Sequence, residues 1–261
     1  MKHTFMRKHP RRKCQTKKYK KFRSNKGRRM VGGYSPVFTR YISLQIEALT
    51  IREFKIVSDE EKNPIFHIVR NIASGGSFTN KINGDGFFTP GINLANLLHN
   101  ARVFYNWTKG LNASKLKKFS PDDQDEIRRE QVTLYRHVRI SPANAIRNMI
   151  QPIPISCTWD INFAIGWMQS NGCCICELMI PSTDVFLPLS MPPPEPAGER
   201  SPIPLNQPQY EVTVAPCILT YMNTRMHHNG TTIYTYNAKT CANLTEVDAN
   251  FNTVEQNGCF F

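Results

Sequence analysis

Three strand-like runs each carry a polar residue whose chemistry differs from that of its counterparts: Arg136 in Val132-Thr-Leu-Tyr-Arg-His-Val138, Ser156 in Pro154-Ile-Ser-Cys-Thr158, and Glu211 in Gln209-Tyr-Glu-Val-Thr-Val-Ala215. A charged group inside a strand of otherwise buried type is costly unless it is paired or faces a cleft. Brought together, a guanidinium can hold an anion, a carboxylate can stabilise a developing positive charge, and a hydroxyl can orient that carboxylate.

The elements that must position these residues follow from local signals. The run ending at Thr158 passes into an amphipathic pattern, Asp160 to Gln169, which puts Phe163, Ala164 and Trp167 on one helical face. Ser120-Pro121-Asp122-Asp123 reads as a helix start, and the helix to about Glu130 delivers the chain into the Arg136 strand. Ser141-Pro142 repeats that signal and predicts a helix to about Ile150, stopped by Pro152 and Pro154. Further strands are expected at Cys173 to Ile180 and Val185 to Leu189. A hairpin, Ile218 to Arg225 and Thr231 to Tyr236, is expected around Asn229-Gly230.

Upstream, apolar spacing predicts a helix from about 92 to 107. Tyr41 to Ile46 alternates as a strand would, whereas Ile46 to Val57 fits a helix as well; Gly75-Gly76 and Asn83 to Gly86 read as turns. Between Pro181 and Pro208 nine of 28 residues are proline, a long irregular connection leading into Gln209-Tyr210-Glu211. Beyond about Asn237 the signal fades.

An aromatic-Arg pair, a Ser-x-Thr opening onto a helix, and a Gln-x-Glu opening a strand resemble the Arg-Ser-Glu signature of mono-ADP-ribosyltransferases of the bacterial-toxin type. The resemblance spans Val132 to Tyr221. It implies an α+β domain over 34–240, N-terminal helices followed by a two-sheet mixed β core around an NAD cleft, with 241–261 as a C-terminal extension. It further implies NAD as a substrate and a protein acceptor. Arg136, with Tyr135 beside it, would bind NAD; Ser156, with Thr158, would support nicotinamide and orient the glutamate; Glu211 would stabilise the ribosyl cation, and Gln209 would meet the acceptor. Glutamine at 209 implies an acceptor other than arginine, because a neutral amide pairs with amides and not with cations. The sequence departs from the family in having His137 after the arginine, Cys157 inside the Ser-x-Thr, and Asn206 where an aromatic often precedes the Gln-x-Glu.

The formal net charge of +13 is carried by residues 1–29, which hold fourteen Lys or Arg and no acid; the rest has nineteen basic against twenty acidic residues. Residues 1–33 read as a basic disordered tail, either a solvated segment or an arm binding nucleic acid, with Tyr19 and Phe22 able to stack on bases. The tail followed by Met-Val-Gly-Gly resembles small basic proteins of large DNA viruses. No run approaches the roughly 18 apolar residues of a membrane span, so no membrane partner is expected. The N-terminus has no signal-peptide core. The expectation is an intracellular protein, in host cytoplasm, nucleus or virion if viral. Eight cysteines, at 14, 157, 173, 174, 176, 217, 241 and 259, fit reduced core thiols better than disulfides. Cys173-Cys174-x-Cys176 lacks a second pair at zinc spacing, so no metal site is expected. Sequons at Asn106, Asn112, Asn229 and Asn243 read as chance, and His227-His228 as a hairpin tip. No Gly-rich phosphate loop of the Rossmann or Walker type is present, so NAD would bind without a dinucleotide fold. The alternatives to a protein-modifying transferase are a non-enzymatic nucleic-acid-binding or virion-packaged protein on a degenerate transferase fold, or a transferase acting on nucleic acid.

Overall fold

The computed structural model describes residues 33–51, 81–138, 140–171, 174–193 and 210–260. The basic tail, Gly75-Gly76, Cys173, Asn206 and Gln209 lie outside the described residues.

Helix α1 (Pro36–Ile51) buries Phe38, Tyr41, Ile42 and Gln45, one face at i, i+3, i+4 and i+7. That face overrides the strand-like alternation of Tyr41 to Ile46. Helix α2 (Leu94–Leu116) starts at Asn93, whose side chain accepts from the Asn96 N–H at 3.0 Å. It runs past the expected end at 107: Thr108 is buried, and Asn112 meets α1, where Gln45 Nε2 donates to Asn112 Oδ1 at 2.5 Å. Helix α3 (Pro121–Arg129) is capped by Ser120 as its sequence predicts, with acids in its first turn and arginines in its last.

Strand β1 (Gln131–Val138) follows directly. The Ser141-Pro142 start is present, but α4 (Pro142–Ala145) lasts one turn, and Met149–Gln151 form β2 where a helix was expected. The physical reason is distant in sequence: Met149 pairs with Leu219, Ile150 N–H donates to Cys259 O at 2.6 Å, and the Tyr236 hydroxyl takes the Ala145 carbonyl. After β3 (Ile155–Thr158) comes α5 (Ile161–Asn171), then β4 (Cys174–Pro181), β5 (Phe186–Pro188) and β6 (Glu211–Val214). The predicted hairpin is β7 (Cys217–Met226) and β8 (Thr232–Thr240), with Gly230 at φ +85° in its turn. Helix α6 (Leu244–Asn257), where the sequence signal fades, is capped by Asn243 and buries Val247, Phe251 and Val254. Two of the sequons are thus spent on the fold, Asn243 on a cap and Asn112 on α1.

The strands form a mixed sheet in the order β2-β7-β8-β4-β1-β3-β6-β5, with β4 and β8 parallel and the other pairs antiparallel. With the helices this is an α+β architecture. The sheet has a seam: β1 and β3 share one register pair, Tyr135↔Thr158, whereas β1 and β4 pair along eight residues. Two halves therefore meet where the candidate residues lie. The C-terminal end closes the opposite side, with Cys259 N–H donating to Gly86 O at 2.7 Å; a Cβ on Gly86, at φ +85°, would sit 2.5 Å from the Phe260 ring.

Among the described residues, no helix is long and apolar enough to cross a membrane, no group of ligands could hold a metal, and six cysteines are free and buried. Cys174 and Cys176 both belong to the core. His227 is buried beneath its hairpin, its Nδ1 2.9 Å from Asn229 Oδ1, so it is not the exposed tip its sequence suggests.

Candidate active site

Strand β3 begins right after Pro154 and ends where Thr158 and Asp160 turn the chain into α5, and its alternation sends Ser156 and Thr158 to one face and Cys157 to the core. Across it, β6 places Glu211 opposite Thr158 and Thr213 opposite Ser156. Glu211 and Ser156 are diagonal neighbours on that face, and the Ser156 hydroxyl donates to Glu211 Oε1. The two flanking peptides hold the glutamate in place. Leu189 N–H and Ser190 N–H reach Glu211 O at 2.9 and 3.3 Å, and Trp159 N–H reaches Tyr210 O at 3.0 Å.

Arg136 approaches from the other side of the seam. Beyond Tyr135↔Thr158 the two strands part, and Arg136 Nη1 donates to the Ser156 carbonyl at 2.5 Å in place of a continued backbone ladder. Alternation along β1 turns Arg136 away from Tyr135, toward the thiols of Cys157, Cys176 and Cys217. Burial lowers the guanidinium's pKa, a shift that the thiols and Glu211 oppose; an arginine stays charged through such a change. Burial also pushes the Glu211 carboxyl above the usual carboxylate range, against the lowering effects of the Ser156 hydrogen bond and the Arg136 charge. Cys157, beside the guanidinium, is still pushed up to about 12 by burial. It is a core thiol and not a nucleophile.

The structure thus brings Arg136, Ser156 and Glu211 together through one serine: its hydroxyl holds the carboxylate and its carbonyl holds the guanidinium. Thr158 lies in the same row, but its Oγ1 accepts from Asp160 N–H at 3.1 Å, and Asp160 Oδ1 in turn accepts from Asn162 N–H at 2.8 Å, turning the chain into α5. Tyr135 is half-buried against α5.

Sequence reasoning missed a neighbouring ion pair. Tyr135 is the register partner of Glu177, and Glu177 of Thr235. Glu177 takes Arg225 through two contacts, Nη2 at 2.5 Å and Nε at 3.3 Å, and Thr235 Oγ1 at 2.8 Å, with the Tyr135 hydroxyl also bonding it. Burial would raise the Glu177 pKa, but these donors prevail and hold it below the usual range. A glutamate and an arginine 48 residues apart each read as a solvated strand residue; only the β4–β8–β7 pairing joins them.

No family model matches the chain, and no curated protein matches it. Solved structures similar to it include the ADP-ribosylating toxin BECa of C. perfringens, determined with NADH. That similarity has 12% identity and a TM-score of 0.39, and covers 80% of this chain and 50% of the toxin. This chain therefore spans half the length of that relative. The ADP-ribosyltransferase Vis has 10% identity and a TM-score of 0.37, over 79% of this chain and 85% of Vis. The ADP-ribosyltransferase HopU1 of Pseudomonas syringae has 10% identity and a TM-score of 0.33, over 77% of this chain and 95% of HopU1.

Proposed function

We propose that this chain is an NAD-dependent mono-ADP-ribosyltransferase. The observation that carries the reading is the Ser156–Glu211 hydrogen bond at the seam, with Arg136 on the same serine's carbonyl. Cleavage of the bond between nicotinamide and ribose C1′ leaves positive charge on the ribose, and the electron pair departs with nicotinamide. A carboxylate held still and partly desolvated is preorganised to oppose that charge. Glu211 takes this role and accepts from the ribose 2′-hydroxyl. Ser156 fixes its rotamer. Arg136 supplies the cation for the pyrophosphate, and its fixed fork suits phosphate oxygens. The acceptor's nucleophile then bonds C1′ and loses its proton.

The acceptor is a protein side chain other than arginine, on the ground that residue 209 is glutamine. The Gln209→Glu variant should shift modification toward arginine and leave NAD hydrolysis within about tenfold, since a carboxylate can hold a guanidinium where an amide cannot. The basic segment 1–29 supports a second role as a polyanion-binding arm, and with it the rival acceptor class, nucleic acid.

Incubation with labelled NAD and a cell lysate, followed by separate nuclease and protease digestion, tests both readings. Label released by protease, with mass spectrometry placing ADP-ribose on an asparagine, glutamine or cysteine, is the expected result. Label on arginine would refute the acceptor reading, and label on a nucleobase would make the protein a nucleic-acid transferase.

A further inference from the structure

Among the described residues, Tyr210 is the one non-glycine with a positive φ, +46°. Bulky side chains rarely adopt that region, because the Cβ crowds the backbone there. Such strain persists where surrounding structure over-determines it, and it gathers at functional sites. Tyr210 immediately precedes Glu211, and the contacts that enforce its shape are in place. Its carbonyl accepts from Trp159 N–H at 3.0 Å, the Trp159 Nε1 donates to Ser190 O at 3.1 Å, and Ser190 and Leu189 N–H close on the Glu211 carbonyl. Trp159 is itself buried, edge-on to Tyr34 at 5.6 Å.

We infer that Tyr210 is a positioning residue whose left-handed backbone turns the chain into β6 so that the Glu211 side chain points at Ser156 rather than away from it. The inference rests on the reading of Glu211 as the reacting carboxylate. What matters at position 210 is the backbone, so residues should be tolerated by their ease in the left-handed region and not by their resemblance to tyrosine. Glycine enters that region freely, asparagine readily, and valine hardly at all.

The test is a series at position 210: Gly, Asn, Phe, Ala and Val. The Tyr210→Gly, Tyr210→Asn and Tyr210→Phe variants should keep kcat for NAD hydrolysis within about threefold of wild type. Tyr210→Val should lose about tenfold or more in kcat with KM little changed, as small misplacements of reacting groups do. Tyr210→Gly should melt above Tyr210→Ala, the reverse of their order in an ordinary strand, since both lose the ring and one is free of strain. Carbon-13 titration of the Glu211 carboxyl should give the wild-type midpoint in the Gly and Asn variants and a displaced one in Val. A series in which Phe is active while Gly and Asn fail as Val does would overturn the inference in favour of the ring. Tyr210→Ala melting above Tyr210→Gly would overturn it as well. If the wild-type protein hydrolyses no NAD, the transferase reading fails, while the titration and melting series still decide the role of Tyr210.

Discussion

Ser156 and Glu211 are bonded side chain to side chain although neither is the other's register partner: Glu211 lies opposite Thr158, and Ser156 opposite Thr213. A diagonal contact across an antiparallel pair needs reach as well as alignment. Glutamate has it, and aspartate, one methylene shorter, falls short. Glu211→Asp should therefore lose most of the NAD hydrolysis that Glu211→Gln loses. For the latter we expect about 10²–10³ in rate, the usual worth of one preorganised charge at a reacting centre. Either variant retaining more than about a tenth of wild-type turnover would contradict Glu211 as that charge.

The raised pKa of Glu211 also has a stability consequence. A carboxyl that binds its proton more tightly folded than unfolded favours the fold at low pH. That contribution is complete below the unfolded pKa and lost as pH rises through the folded one. Glu211→Gln should therefore melt above wild type at neutral pH, and the gap should close as the pH falls below about 4, where the unfolded carboxyl is protonated. Melting curves from pH 3 to 8 would show it; a gap that widens toward acid would mean the wrong sign.

Replacing Ser156 by alanine removes one of the two effects that lower the Glu211 pKa. The acid limb of kcat/KM for NAD hydrolysis should move to higher pH, with turnover down about 10- to 100-fold, while Ser156→Thr keeps the donor and much of the rate. A pH profile unmoved in Ser156→Ala would detach the serine from the glutamate.

The Glu177–Arg225 pair behaves in the opposite sense. Because Glu177 is held below its usual pKa, the stability it brings is present above the unfolded pKa and lost as pH falls through the folded one. Arg225→Met leaves a carboxylate with 9% exposure short of its main donor. It should cost about 1–2 kcal/mol near neutrality, less than a fully buried pair would because Arg225 is itself 42% exposed. Urea titrations at pH 7 should find that loss, and it should shrink in acid; equal losses at pH 3 and 7 would rule out the ion pair as its source.

The charge of residues 1–29 lies in a different part of the chain from Arg136, Ser156 and Glu211. Deleting residues 1–33 should abolish binding to DNA and RNA whose affinity falls steeply with salt, and leave NAD hydrolysis within about twofold. Fluorescence anisotropy across a salt series checks this. Equal binding by the truncated protein would remove the arm.

What the sequence disclosed and what it withheld divide along physical lines. Arg136, Ser156 and Glu211 were legible because each interrupts an apolar run, and interruption is a local signal. The α3 start was legible from its cap, and the β7–β8 hairpin from Asn229-Gly230. The strand β2 was hidden because three residues fix no period, and its reason for being extended is its pairing with Cys217–Leu219. Helix α6 was hidden by a mostly polar sequence whose three buried apolar residues find their partners on α2 and β2. The alternation at Tyr41 to Ile46 misled because a short stretch fits both periods, and only the longer face from Phe38 to Gln45 separates them. Nothing local marks Tyr210 either: its carbonyl is held by Trp159 and that of Glu211 by Leu189 and Ser190, contacts made only through folding.

The clasp of Cys259 on Gly86 and Ile150 has a consequence for biosynthesis. Ribosomes release a chain from its amino end, so the turn at Asn83 to Gly86 and strand β2 emerge long before the residues that complete their hydrogen bonds. Contacts between segments so distant in sequence cost loop-closure entropy and form late. Until translation has passed Phe260, the nascent polypeptide carries an open Ile150 amide and an unfilled space beside Gly86. The helical layer can gather early on the ribosome, but the side of the sheet that β2 closes is finished only after the last turn of α6 has cleared the exit tunnel.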